Sequence, residues 1–284
     1  MKDYKTIKVE EREDGISIIK FNRPESLNAI NFEFTHEMID YLKIIETNLA
    51  IRVVILIGEG RGFSSGLDLK ESQIALKPVK KIPEEYHKYE YLMAKDKIKR
   101  SILGQKKLSE VMLLLRKIPQ PVIAAVNGVA YGGGLGLALA SDIRLAGENA
   151  KFCNAFINIG VSGADMGSSY WLPRIIGFSR AAEFMYTGRA MDAKEADKIG
   201  LVSRVVINEN LLEEAIGVAQ QIIEKSPIGI RFTKDALNAN VDAQSLEAAI
   251  KLENRSQVIC LNTKDLLEGV FSVLEKRKPN YDKW

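Results

Sequence analysis

The residues with the most distinctive chemistry in this chain have no side chain. Two stretches, RVVILIGEGRGFSSGLDL (52–69) and PVIAAVNGVAYGGGLGLA (121–138), follow one plan: apolar strand, short loop, glycine, helix. Each puts bare backbone N–H groups at the start of a helix, where the helix itself supplies no acceptor. Side by side in a sheet, two such turns aim two N–H donors at a common point. Donors held that way stabilise an oxyanion, and glycine is needed because a Cβ blocks close approach. Tight helix–strand packing explains one glycine cluster comfortably, but a matched pair less well. A phosphate cradle fails on spacing. Neither register supplies the third glycine or alanine of G-x-G-x-x-G, and no G-x-x-x-x-G-K-[ST] occurs.

Composition narrows the alternatives. With 46% hydrophobic and 27% charged residues, the 284-residue chain has the make-up of a soluble globular protein with a real core. A net charge of +3 is too mild for a nucleic-acid footprint but suits an anionic small ligand. Two histidines (His36 and His87) and two cysteines (Cys153 and Cys260) are too few for a His/Cys metal cluster or a disulfide framework. No metal is expected, and free cysteines fit a reducing, cytoplasmic location. The charged start MKDYKTIKVEERED lacks the apolar stretch of a secretory signal. The uncharged run 118–141 is long enough to cross a bilayer. Pro119, Pro121, Asn127 and the glycines from Gly128 to Gly136 interrupt it, so it reads as buried strand, turn and buried helix.

The elements that must hold these turns follow from periodicity. TIKVEER and GISIIKF flank Asp14-Gly15 as a hairpin. From Asn31 to Asn48, Phe34, Met38, Tyr41, Leu42 and Ile45 share one helical face. IRVVILIG, PVIAAV and DIRLAG read as buried strands. The fold class is therefore α/β over residues 1–207, followed by a helical region, 208–284, with no linker-like composition between them. Between Lys77 and Lys107 the chain carries ten Lys/Arg against four Asp/Glu, a basic helical insertion over about 71–107. Pro83 before Glu84 and Glu85 predicts a helix start there, with Tyr86, Tyr89 and Met93 on one face. This is either a solvated amphipathic helix or a lid whose lysines meet an anionic ligand. His87 within it is expected at the surface.

FNRPESLNAI, GRGFSSGLDLKE, PQPVIAAVNGVAYGGGLGLALASDIRLA, GRAMDAKEADKIGLVSRVV and EKRKPNY, in this order, resemble the enoyl-CoA hydratase/isomerase (crotonase) family from about Val9 to Tyr281. The resemblance implies a spiral of repeated ββα units, C-terminal helices that assemble trimers or hexamers, and an acyl-coenzyme A thioester as ligand. It implies no cofactor beyond that coenzyme A, and no nucleic-acid or membrane partner. By the same resemblance, the N–H groups of Leu67 and Gly133 hold the thioester oxygen. Ser26, Ser65, Asp68 and Leu69 form the adenine pocket through their backbone. Arg61 and Lys70 lie near the coenzyme A, and Lys276 reaches a neighbour's ligand. Glu25 departs, since many members have lysine there.

The acids depart further. Hydratases of the family carry two glutamates, at positions that match Gly136 and Phe156 here. Adding water requires a group to take its proton and another to protonate carbon. What remains is Asp165 in GVSGADMGSSYWLPR, where isomerases and aryl-CoA dehalogenases of the family have a functional aspartate, one residue out of register. Asp165 is expected either to move a proton in isomerisation or hydration of an enoyl-CoA, or to act as a nucleophile in hydrolysis or dehalogenation. Two plainer readings remain: Asp165 is a helix N-cap, or the protein binds acyl-CoA without turning it over. Tyr131, Phe156, Tyr170 and Trp171 are candidates for an acyl pocket or for plain core.

Overall fold

A computed structural model describes residues 2–281. Strands β1 (Ile7–Glu11) and β2 (Ile16–Phe21) form the expected hairpin, with Gly15 at φ +91° in its turn. Helix α1 (Phe32–Glu46) begins where Asn31 caps it by accepting the N–H of Phe34 at 2.8 Å. It buries all five residues of the predicted face. The chain then repeats one motif. β3 (Val53–Gly58), β4 (Gly62–Ser64) and α2 (Leu69–Leu76) make one ββα unit. After α3 (Lys97–Lys117), β5 (Val122–Val126), β6 (Val129–Tyr131) and α4 (Gly133–Ala140) make the next. β7 (Ile143–Gly147) and β8 (Lys151–Cys153) then lead to α5 (Ser168–Ile176) and α6 (Phe178–Thr187). β9 (Ala190–Asp192), α7 (Ala193–Lys198) and β10 (Arg204–Val206) finish the spiral.

In each unit the first strand joins one sheet and the second strand joins the other. The larger sheet has the order β1-β2-β3-β5-β7-β10, parallel from β2 onward, and the smaller has β4-β6-β8-β9. Parallel strands covered on both faces read as continuous apolar runs, which is why VVILIG and VIAAV show no alternation. One face packs on α1, the end of α3, and α4. The other is covered by α8 (Leu211–Ile223) through Leu211, Ala215 and Ala219. Helices α9 (Pro227–Asn240), α10 (Leu246–Leu261) and α11 (Lys264–Leu274) follow. No helix among the described residues is long and apolar enough to cross a membrane.

The insertion differs from expectation. No α-helix starts at Pro83, only a 3-10 turn at 84–86; two more, at 79–81 and 90–93, flank it before α3. Pro78 and Pro83 interrupt helical hydrogen bonding. The apolar residues instead collapse into a small cluster, with Ile74, Ile82, Tyr89 and Leu92 buried and Tyr86 and Met93 against them. His87 is exposed, as expected.

Candidate active site

The two glycine turns touch. A Cβ on Gly66, which has φ +90°, would lie 2.6 Å from the carbonyl oxygen of Tyr131 and 3.2 Å from the nitrogen of Gly133. A Cβ on Gly134 would fall 2.2 Å from the carbonyl oxygen of Ser64. Gly132, at φ +49° and ψ −112°, turns the chain from β6 into α4 and anchors its own N–H on the Cys153 carbonyl at 2.9 Å. Gly132 and Gly134 therefore each have a backbone reason to be there, and the β4–α2 and β6–α4 turns are locked against each other.

Both turns leave a donor over. Ile30 forms a parallel bridge to Leu67, donating to the Gly66 carbonyl (2.7 Å) and accepting from the Asp68 N–H (2.9 Å). The N–H of Leu67 must then face away from Ile30. Gly133 is the first residue of α4, so its N–H points out of the helix. Neither N–H donates to an acceptor among the described residues.

Around them the walls are apolar. The Cβ position of Gly133 lies 2.8 Å from Ile30 Cδ1 and 3.1 Å from Met166 Sδ; that of Gly136 lies 3.0 Å from Met166 Cβ. Met166 is held at φ +47°, a conformation that costs a methionine roughly 1 kcal/mol or more and is found where surroundings impose it. Phe156 is buried, its ring 3.6 Å from the Cβ position of Gly132. Gly136 and Phe156, where the sequence resemblance led us to expect a hydratase's glutamates, are thus both packed among apolar atoms.

Asp165 precedes Met166 on the same loop. Its Oδ1 accepts the Met166 N–H at 2.7 Å and the side-chain amide of Gln105 from α3. Burial pushes the Asp165 carboxyl above its usual range, while the Met166 N–H and Gln105 pull it down. It is not the cap of α5. The residue at that position is Gly167, at φ +83°, with no side-chain cap. The N-cap alternative fails because the carboxylate is turned to its own neighbour and to α3. Nothing in the sequence marks Gln105, which lies sixty residues earlier, in the insertion.

The remaining predicted positions lie on two surfaces. Ser26 ends a 3-10 turn, its carbonyl accepting from Ser65 Oγ at 3.0 Å. Asp68 caps α2 through the N–H groups of Lys70 and Glu71, both at 3.1 Å, and pairs with Arg23 at 2.9 Å. Burial alone would raise the Asp68 carboxyl, but the Glu71 N–H and Arg23 outweigh it and hold it below the usual range. Leu69, Lys70, Arg61 and Glu25 are exposed around this group. Lys276 stands apart, exposed just beyond α11 at φ +54°. Tyr170 and Trp171 pack edge to face beside Met166, whereas Tyr131 is only partly buried.

A family model described as enoyl-CoA hydratase/isomerase matches residues 11–93 and 87–283. The chain is 42% identical over 274 residues to a Mycobacterium bovis protein named "Probable enoyl-CoA hydratase echA12", covering 95% of this chain and 90% of that one. It is 32% identical over 272 residues to the 1,2-epoxyphenylacetyl-CoA isomerase of Escherichia coli, covering 95% of each. Among solved structures, a probable enoyl-CoA hydratase/isomerase from Mycobacterium abscessus superposes with a TM-score of 0.84 at 36% identity, over 98% of this chain and 99% of that one.

Proposed function

This chain belongs to the enoyl-CoA hydratase/isomerase family, and we propose that it moves the double bond of an enoyl-CoA thioester, with the Leu67 and Gly133 N–H groups on the thioester oxygen and Asp165 moving the proton. Its fold is the crotonase spiral of repeated ββα units. The observation that carries the reading is the pair of unclaimed N–H donors on touching turns. Removing a proton from the carbon next to a thioester builds negative charge on the carbonyl oxygen. Donors already in place stabilise that charge without reorganising. A half-buried carboxylate with a raised pKa is the better base, and it can return the proton further along the chain. Hydration needs a second group to handle water, and Gly136 and Phe156 offer none. This favours isomerisation over hydration.

Proton transfer of this kind needs no cofactor beyond the coenzyme A of the substrate. In this reading the Ser26, Ser65, Asp68 and Leu69 backbone takes the adenine. Arg61 and Lys70, with Lys276 of a neighbouring copy, meet the phosphates, so binding should weaken as salt rises. The test is turnover of a 3-enoyl-CoA and of crotonyl-CoA, followed by NMR. Isomerisation should be fast, hydration slow, and Asp165→Asn should abolish the former while coenzyme A still binds. Rapid crotonyl-CoA hydration in Asp165→Asn would overturn the assignment. A covalent adduct trapped on Asp165 would make it a nucleophile instead.

A further inference from the structure

A cavity of about 820 Å³ lies against Met166, walled also by Met112, Tyr170, Trp171, Phe232 and Arg116. Met112 Sδ and Met166 Cβ also stand 3.7 Å and 3.0 Å from the Cβ position of Gly136. The side chains of Met112 and Met166, the most adaptable apolar type, therefore border both the cavity and the glycine turn, and an acyl chain held on the turn reaches the cavity where they give way.

The cavity is lined mainly by apolar side chains, with Arg116 and Lys234 among them. Arg116 donates to Asp142 Oδ1 at 2.8 Å, and Lys234, which is 5% exposed, pairs with Asp142 Oδ2 at 2.9 Å. That same Oδ2 takes the N–H of Val122 at 2.8 Å. Behind them Arg144 gives its guanidinium to the carbonyls of Leu201 and Ser141; burial and then repulsion from Arg116 bring its pKa down to about 10. Two cations thus share one carboxylate, with a third close behind. On the rim Lys117 is answered by Glu46 at 2.8 Å, and Arg231 and Asp235 carry opposite charges. Arg116 is further fixed by Asn238 and lies 4.7 Å over the Trp171 ring, yet its buried Nε finds no acceptor among the described residues. Two cations sharing one carboxylate leave positive charge on the cavity lining, and such charge is costly unless an anion meets it.

We propose that this cavity receives the acyl chain of a thioester whose far end is a carboxylate, and that Arg116 selects for that carboxylate. The methylenes pack on Met112, Trp171 and Phe232, and the terminal anion supplies the charge that Asp142 alone does not. The proposal rests on the reading of the glycine turns as an acyl-CoA site. Its test therefore uses saturated, unreactive thioesters and needs no turnover.

Calorimetry on the whole protein compares coenzyme A alone with matched-length acyl-CoAs ending in methyl or in carboxylate. A charge-assisted hydrogen bond predicts the carboxylate-ended thioester to bind about tenfold tighter than its methyl-ended partner. Arg116→Met should bring the two affinities together, and Arg116→Lys should keep part of the difference. A thermal melt shows whether each variant folds, and the wild-type comparison decides even if neither does. Equal or tighter binding of the methyl-ended thioester overturns the proposal and leaves the acyl-CoA reading standing. A preference that survives in folded Arg116→Met also overturns it. If coenzyme A and every thioester fail to bind, the acyl-CoA reading falls and this proposal falls with it.

Discussion

The ionisation of Asp165 is set by burial on one side and by two donors on the other, one of which, Gln105, is a removable side chain. That makes the base testable without touching it. Replacing Gln105 by leucine removes a bond that favours the ionised carboxylate, so the Asp165 pKa should rise further. A base works only when deprotonated, so the acid limb of kcat/KM should move to higher pH in Gln105→Leu. A profile that does not move would show that Asp165 is not the titrating base. Asp165→Asn should lower turnover by roughly 10²–10⁴-fold, the usual contribution of a positioned acid or base. The backbone donors have their own variant. Gly66→Ala sets a methyl group 2.6 Å from the Tyr131 carbonyl at a φ of +90°, prying the two turns apart. Loss of one donor should cost about 10²–10³-fold in kcat. A folded Gly66→Ala with full activity would mean the glycines serve packing alone. The paired turns are legible in the sequence because glycine is the only residue that satisfies both the positive φ and the close approach. The Asp165–Gln105 contact is not, since it joins a loop to a distant helix and neither residue type announces the other.

At the scale of elements, legibility follows how local the cause is. Helix α1 is readable because its cap, Asn31, and its apolar face lie within one stretch of chain. The segment from Val79 to Met93 is misread because its tyrosines are sorted by packing on Ile74 and Phe32, not by helical period. Helix α2 lies between these cases: Asp68 caps it locally, but the same carboxylate is tied across the chain to Arg23. A cap lost to alanine costs about 1 kcal/mol, so Asp68→Ala should destabilise by at least that much, while Asp68→Asn keeps the cap and loses the ion pair. Because the folded pKa of Asp68 is depressed, its contribution is complete above the unfolded value of about 4 and is lost as pH falls through the lower folded value. Urea unfolding of wild type and Asp68→Asn should therefore differ near neutrality and converge in acid. A difference that stays constant with pH would show that the ion pair contributes nothing.

Over the whole molecule, the spiral core is closed but the last helices are not. Val258, Leu261, Val270 and Phe271 are 59%, 50%, 47% and 51% exposed, and a groove of about 1080 Å³ runs between α9, α10 and α11. Leu261 and Val270 line that groove, and we expect this exposed apolar surface to be a contact surface, because a monomer in water leaves little such area uncovered. Its amphipathic helices are plain in the sequence, whereas what covers them is not, since no described residue of the chain does so. Lys276 lies exposed just beyond α11, far in chain order from the Ser26–Lys70 group, and we expect it to be lent to another copy. We expect trimers or hexamers by light scattering at micromolar concentration. Introducing charge at Phe271→Glu and Val258→Lys should shift the mass toward the monomer, because an unpaired charge buried in an interface is costly. Dissociation should weaken coenzyme A binding more than Lys276→Ala does in the intact assembly, since it removes the whole neighbouring surface and not one cation. A clean wild-type monomer would count against the assembly, and with it against any role for Lys276 in a neighbour's site.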